Sequence, residues 1–563
     1  MCANMFRQMN KFQSILSLTE KSCLNSFVNN YSIKCSEISG ETTLHSFQDI
    51  PGPISLPLIG TLYKYIPLIG EYSFTRLYDS GVKKKKQYGS LVREEIVPGV
   101  QIVYVYRPED IAEIFKAETS LHPERRSHLA LLKYRKDRSD IYNTGGLLPT
   151  NGQEWWRLRK EFQKVLNKIN YIINYLEDTD RVIKEFIPLC TEERYDDFLP
   201  LLSRLFLECN YFILYIDRDL FFLYNIHIFS IFFLFCINVK KKKNNSTVTC
   251  LTAFDVRMNS FSKEERQQDS RTSKLIDAAF TTNSAILKLD NGPALWRYFD
   301  TFLYKKLCKA QNYMEEIAIE MVNKKIEKGT DLSTNSLLDA YLKNPALDKK
   351  DIVGMACDML LAGIDTTSYT MSFVLYHLGK NPECQEKLRS ECLKLLPDSN
   401  QDITVNVLRN AEYAKAVIKE TFRLNPVSVG IGRVLQTDIV LNGYCVPKGT
   451  IVVTQNQVTC QCPEYFNDPH SFIPERWLQT TVDVNDRHTN SSRSINPYLV
   501  LPFGHGPRSC IARRFAEQSM RTLLIRMCRE LEFTWSGDNL GCKSLLINKP
   551  DGPIKLNFTK YKH

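Results

Sequence analysis

The stretch PFGHGPRSCIARR, residues 502–514, constrains this 563-residue chain more than any other. It sets Cys510 behind a turn of two glycines and a proline, ahead of an apolar-periodic run that predicts a helix from Ile511 to about 531. Glycines let a backbone approach a flat ligand closely and adopt conformations other residues avoid. A cysteine just before a helix meets unpaired N–H groups and the positive end of the helix dipole, which favour the thiolate. A thiolate can ligate iron and push electron density toward bound oxygen. For Cys510 alone, a buried cysteine beside a turn remains the stronger reading, so other segments must decide.

Three do. In KETFRLNP, Glu420 and Arg423 are three apart on an expected helix and can pair, and FIPERWLQ supplies Arg476 downstream for a buried three-membered ion network. In LLAGIDTTSYT, Gly363 leaves room for a ligand within an apolar helical run. The Thr366 hydroxyl there is expected to bond back to the Ala362 carbonyl and locally open the helix, with Asp365 beside it as a proton donor. In EWWRLRK, Trp155 and Arg159 share a helical face and could clamp an anionic edge, while Trp156 and Arg157 face elsewhere. Arg433 and Arg508 are further candidates to receive carboxylates.

Along the chain, a polar leader precedes IPGPISLPLIG, whose prolines impose an extended entry, so the folded domain is expected to begin there. LVREEIVPGVQIVYVYRPEDIAEIFKAE predicts two strands and a helix. Residues 107 to 430 carry mostly helical periodicity, and strand-like segments return at TDIVLNGYCVPKGTIVVTQ and near the C-terminus. The class is therefore mostly α with a small β region. Residues 1–48 are assigned to the leader and 49–563 to one domain.

Residues 210–248 break this pattern. They contain no Gly, Ala or Pro, and 29 of the 39 are Phe, Ile, Leu, Tyr, Asn or Lys, residues with A/T-rich codons. LFFLYNIHIFSIFFLFCINV followed by Lys240 to Lys243 has the form of a membrane span with a basic flank. The composition favours a retained intron over a span, and such an insert is expected to loop out of the helical body. A membrane-embedded haem-binding or interaction protein is the reading of another class that this segment motivates.

The formal charge of +10 points to an acidic protein or acidic lipid as partner, with no nucleic-acid motif present. Seventeen scattered cysteines argue for reduced thiols, and Cys460 with Cys462 lacks a second pair for zinc. Residues 1–19 contain Arg7 and Lys11 and no acid, which loosely fits a mitochondrial presequence. No run before Pro51 is apolar enough for a membrane anchor.

Taken together, FxxGxRxC, the ExxR pair with its later arginine, the Gly363–Thr366 helix and the Trp155–Arg159 helix resemble the cytochrome P450 family, in the family's order. Ala512 stands where many members have glycine. The resemblance implies a large helical domain with a small β-rich one and haem b with Cys510 as axial ligand. Trp155, Arg159, Arg433, Phe503 and Arg508 would lie against the haem. It also implies monooxygenation by molecular oxygen, with Asp365 and Thr366 delivering protons.

Lys415 and Lys419 before the ExxR glutamate, and Arg513 and Arg514 after the cysteine, resemble the mitochondrial branch. That implies electrons from NADPH through a ferredoxin reductase and an acidic two-iron ferredoxin of the adrenodoxin type. It also implies a place on the matrix side of the inner mitochondrial membrane. PLIGEYSFTRLYDSG, FKAETSLHPERRSHLALLKYRKDR and YNTGGLLPTNGQEWWRLRKEFQKVL are similar to the ecdysteroid 22-hydroxylases of the Halloween group. That likeness implies a sterol or ecdysteroid substrate, with another steroid position or a xenobiotic as the alternative. An isomerase or dehydratase that needs no oxygen activation is argued against by the Asp365–Thr366 pair.

Overall fold

A computed structural model describes residues 44–211, 258–292, 294–327, 337–478 and 495–562. Of the anomalous segment, only Asn210 and Tyr211 fall among them, at the end of a helix. The rest of it, and the leader before residue 44, lie outside the described residues.

Twelve α-helices of eight residues or more are described: α1 Leu77–Tyr88, α2 Pro108–Lys116, α3 Leu129–Lys136, α4 Gly152–Leu166, α5 Ile169–Phe186, α6 Leu199–Tyr211, α7 Arg271–Asn291, α8 Phe302–Glu327, α9 Lys349–Lys380, α10 Pro382–Leu395, α11 Glu412–Leu424 and α12 Arg513–Glu530. The strands are short: β1 Leu91–Glu95, β2 Gln101–Val105, β3 Gly432–Val434, β4 Ile439–Leu441, β5 Tyr444–Val446, β6 Ile451–Thr454, β7 Leu531–Trp535, β8 Cys542–Ser544, β9 Asn548–Pro550 and β10 Leu556–Lys560. This is the mostly helical architecture with a small β part that the periodicity predicts.

The 32-residue α9 is the axis of the helical body. Asp348 and Asp351 start it with a reciprocal capping box. It packs against α6, α7, α8 and α11. Between Asp351 and Leu378 every residue is buried except Met359, Ala362, Gly363 and Thr366. Those four recur at three and four spacing, so they form one accessible stripe on an otherwise enclosed helix. Hydroxyl side chains of this helix bond back to its own carbonyls: Thr366 Oγ1 donates to Ala362 O at 2.7 Å, Ser368 Oγ to Ile364 O at 2.6 Å and Thr370 Oγ1 to Thr366 O at 2.8 Å.

The principal sheet has the order β1-β2-β6-β3, with β2 and β6 parallel and the outer pairs antiparallel. Its core of Leu91, Val103, Val105 and Val452 packs with Ile111, Ile114 and Phe115 of α2. At one edge Val434 N donates to Glu124 O at 2.9 Å, so the loop before α3 is fastened to β3.

Three local expectations need correction. The last long helix begins at Arg513 rather than Ile511, because Ala512 has the non-helical φ/ψ of −94° and 12°. α9 is not opened at Thr366, because a carbonyl oxygen has two lone pairs and the hydroxyl can use one without displacing the helix ladder. Ordered structure precedes Pro51: His45 bridges to Tyr444, and Ser46 caps a short turn over Phe47–Asp49.

Candidate functional site

Cys510 sits on a tight loop closed by its own N–H, which donates to Phe503 O at 2.8 Å. Gly504 and Gly506 have φ of 74° and 68°, the left-handed region where a side chain is strained. The Gly506–Arg508 turn then leads to a thiol that is solvent-accessible. Although the residue keeps an exposed side, the protein packed around the thiol raises its pKa, opposed by a hydrogen bond from the backbone of Ala512 and by the charges of Arg159 and Arg513. Phe503 packs edge-on against Phe422 of α11, with ring centroids 5.4 Å apart, and the Arg513 guanidinium lies 5.3 Å from its ring.

Around this loop the fold collects arginines from four separated segments. Arg508 stacks on Trp155 of α4 at 3.9 Å, and its Nε donates to Pro123 O at 2.9 Å. Its Nη2 donates to Thr150 O at 2.7 Å and Asn151 Oδ1 at 2.6 Å. Arg159 is buried four residues after Trp155, and its Nε donates to Gln163 Oε1 at 2.8 Å. Arg433 of β3 pairs with Glu118 and donates through Nη2 to His505 O at 3.0 Å. Arg125 completes the group, with its Nε donating to Leu148 O at 3.1 Å.

The electrostatics of this cluster show what it lacks. Burial, then the charges of Arg125, Arg433 and Arg159, push Arg508 down to about 8. Burial likewise lowers Arg125 and Arg159 to about 10 each. Arg508 Nη1 is buried without a hydrogen-bond partner among the described residues. A cation cluster this crowded is stabilised by anions. An open thiol, glycines in left-handed conformations and an orphaned guanidinium nitrogen together fit a flat, metal-bearing cofactor with carboxylate substituents. Cys510 would hold the metal, and Arg508, Arg159 and Arg125 would receive the carboxylates, with Glu118 already occupying Arg433.

Beneath the loop, Glu420 and Arg423 are both fully buried. Arg423 donates to both Glu420 oxygens, at 2.9 and 2.7 Å. Arg476 Nε reaches Glu420 at 3.3 Å, and Trp477 Nε1 and Ile473 N donate to it at 2.9 and 3.1 Å. The remaining Arg423 donors meet the carbonyls of Cys460, Pro469 and Ser471. Each buried charge is paired, as burial requires.

The structure separates the two acid–alcohol candidates. Thr366 lies on the accessible stripe of α9. Asp365 is buried on another face, where Asn283 Nδ2 of α7 donates to it at 3.0 Å. Burial raises its pKa to about 6, against hydrogen bonds from Asn283 and Tyr369 and the charge of Lys549. A carboxyl in that range can hold or release a proton near neutrality. Arg157 turns away to Glu154 and Asp351, as expected.

The basic candidates gather partly. A groove of about 570 Å³ is lined by Lys415, Lys419, Phe422, Phe503, Arg513 and Arg521, among others. Trp477 and Ile495 also border it. Lys415 pairs with Glu412 and Arg513 with Glu517, while the Lys419 ammonium lies 5.0 Å from the Trp477 ring. Arg514 is exposed but does not line the groove.

Sequence reasoning missed Arg125, Glu118, Arg521, Trp477 and Asn283. Trp477 directly follows Arg476, and Arg521 falls eight residues after Arg513 on the same helix, so both had a local signal. Arg125, Glu118 and Asn283 reach the site only through packing.

Comparison with known proteins agrees with this geometry. The model of the family described as Cytochrome P450 matches residues 241–558. The chain is 46% identical to "Cytochrome P450 302a1, mitochondrial" of Drosophila melanogaster over 518 residues, 91% of this chain and 95% of that protein. It is 30% identical to "Probable cytochrome P450 12b2, mitochondrial" of the same organism, over 91% of this chain and 89% of that protein. The identity to "Probable cytochrome P450 49a1", also of Drosophila melanogaster, is 30%, covering 93% and 85%.

Proposed function

The chain belongs to the cytochrome P450 family of haem-thiolate monooxygenases, and we propose that it hydroxylates a sterol-derived hormone precursor in the mitochondrion, at carbon 22 of an ecdysteroid. The observation that carries the monooxygenase chemistry is the accessible thiol of Cys510 beside an arginine cluster with an orphaned donor on Arg508. The three stretches at residues 67–81, 115–138 and 142–166 support the ecdysteroid reading. The names of relatives that include "mitochondrial" support the location.

When bound, the haem supplies oxygen activation and the oxidation itself. The chain's own residues do the rest. Cys510 would hold the iron as thiolate, with the Ala512 N–H and the Arg159 and Arg513 charges stabilising its negative form. Arg508, Arg159 and Arg125 orient the cofactor through its carboxylates. Met359, Ala362, Gly363 and Thr366 present a mostly apolar wall to substrate. Asp365 holds a proton away from that wall among Asn283, Tyr369 and Lys549, and Thr366 offers a hydroxyl on it. Proton delivery therefore passes from the buried acid to the half-buried alcohol through a rearrangement or an intervening water. Lys415, Lys419, Arg513 and Arg514 receive an acidic two-iron ferredoxin, which brings electrons from NADPH by way of its reductase.

Association with a membrane surface is supported by one exposed segment. Leu295, Tyr298, Phe299 and Phe302 are 50%, 86%, 57% and 86% exposed. The exposed Lys305, Lys306 and Lys309 follow directly. An aromatic tip backed by lysines suits an anionic bilayer interface. Among the described residues no helix is long and apolar enough to cross a membrane.

The deciding experiment uses the purified chain with ferredoxin, reductase and NADPH. The reduced carbon monoxide complex is expected to show the red-shifted thiolate band, and Cys510→Ser to lose it while remaining folded. A 22-deoxy ecdysteroid should be converted to its 22-hydroxy product. Persistence of the band in the variant would remove Cys510 from the role, and hydroxylation only elsewhere would refute the substrate assignment.

A further inference from the structure

A second buried pair lies close to the arginine cluster but takes no part in the chemistry described above. Arg135 of α3 and Asp358 of α9 are 1% and 4% exposed, with Nη2 and Oδ1 2.8 Å apart. Both also bond the same short loop. Arg135 Nη1 donates to Gly145 O at 2.7 Å, and Leu147 N donates to Asp358 Oδ2 at 2.7 Å. Gly146 between them has φ of 81°, and a Cβ there would stand 2.1 Å from Arg135 Nη1 and 2.6 Å from Asp358 Oδ2. The pair and the loop are thus built against each other, with no space for a side chain.

The other end of that loop belongs to the site. Leu148 O accepts from Arg125, and Thr150 O and Asn151 Oδ1 accept from Arg508. Asn151 Nδ2 in turn donates to Arg125 O at 2.9 Å. The two attachments adjoin in the chain, since Asp358 holds Leu147 and Arg125 bonds Leu148. A displacement at Gly145 or Leu147 therefore reaches the carbonyls that aim Arg125 and Arg508. Asp358 also immediately precedes Met359, the first residue of the accessible stripe on α9.

We propose that Arg135 and Asp358 are a positioning pair that sets the Gly145–Asn151 loop and, through it, the orientation of Arg125 and Arg508 toward the cofactor carboxylates. This rests on the reading of those two arginines as carboxylate receivers. Asp358→Asn keeps an acceptor for the Leu147 N–H but removes the buried charge facing Arg135, so the guanidinium that holds Gly145 O loses the carboxylate that fixes it. Groups that orient a ligand from behind typically change affinity by about 10–100-fold when removed.

The structure also holds a control of matched type. Asp180 of α5 and Arg526 of α12 form an equally buried pair, with two bonds of 2.7 Å, and the backbone groups they also bond, Ile403 N, Ser399 O and Gln401 O, lie outside the cofactor site. The test is haem loss from the full-length holoprotein to excess apomyoglobin, with thermal unfolding followed in parallel, for Asp358→Asn, Asp180→Asn and Arg508→Leu. Asp358→Asn and Arg508→Leu are expected to lose haem about tenfold faster than the parent. Asp180→Asn is expected to unfold earlier while its haem loss stays near parental. Haem loss from Asp358→Asn no faster than from Asp180→Asn, with Arg508→Leu fast, would overturn the pair's role and leave the arginine reading standing. No acceleration in Arg508→Leu would overturn the arginine reading itself. If Asp358→Asn does not yield folded protein, Arg135→Lys is measured instead. It keeps a cation against Asp358 but drops the fork to Gly145, so faster haem loss supports the pair and parental haem loss refutes it.

Discussion

Arg423 closes a two-pronged ion pair on Glu420 one helical turn earlier, at 2.9 and 2.7 Å, with neither side chain reaching solvent. Three further donors, from Arg476, Trp477 and Ile473, converge on the same carboxylate. That one group therefore ties α11 to the segment leading toward the cysteine loop.

Glu420→Ala should strand the buried Arg423 guanidinium, take a partner from the partly exposed Arg476 and cost about 3–5 kcal/mol. The expected result is little or no folded, haem-containing protein, read from soluble yield and urea unfolding. Glu420→Gln, which keeps one acceptor oxygen, should fall between. A parental unfolding midpoint for Glu420→Ala would show that the network does not hold this part of the fold.

Asp365 gives a pH signature. Its pKa is raised from 3.8 to about 6, chiefly by burial, so the folded state binds a proton the unfolded state has released. Its contribution to stability is complete below pH 3.8 and is lost as pH rises through 6, a swing on the order of 3 kcal/mol. Asp365→Asn does not titrate, so its stability relative to the parent should grow between pH 4.5 and 7.5. Urea midpoints at the two values measure this, and a difference independent of pH would contradict it.

Lys419 is exposed on the proposed ferredoxin face and lies over Trp477. Lys419→Glu should slow ferredoxin-supported turnover about tenfold or more at low ionic strength, through weaker complementarity with an acidic partner. Peroxide-supported turnover bypasses the partner and should hardly change. Equal losses in both assays would remove this face from the electron route.

The aromatic tip before and at the start of α8 should bind anionic bilayers. Burying one phenylalanine contributes about 1.5–3 kcal/mol. Phe299→Ser with Phe302→Ser should therefore reduce partitioning onto cardiolipin-containing vesicles by about tenfold or more, as read by sedimentation. Unchanged partitioning would move the membrane contact elsewhere, for example to the exposed Ile54, Leu58, Leu68 and Ile69.

Much of the site was legible because it is local. Glu420 with Arg423, and Trp155 with Arg159, are helix neighbours whose proximity follows from 3.6 residues per turn, and each pair lies within one helix of the structure. The cysteine loop was legible for a similar reason, since glycine in a left-handed turn leaves a pattern of residue types. The same local reasoning failed at Ala512, where it started the helix too early. At Asp365 it left out side-chain direction: consecutive helix residues point about 100° apart, and Asp365 turns to Asn283 while Thr366 lies on the accessible stripe.

By itself, the sequence determined the mostly helical class, the order of the four motifs and the identity of the accessible cysteine, all of which depend on short-range geometry. Tertiary structure alone decided that Arg125 and Glu118 join the arginines, that Asp365 turns to Asn283, and that Arg135 and Asp358 grip the loop held at its far end by Arg508. These contacts link residues tens to hundreds of positions apart. Which residues meet there depends on how the helices and the sheet edge pack, and no periodicity in the chain encodes that.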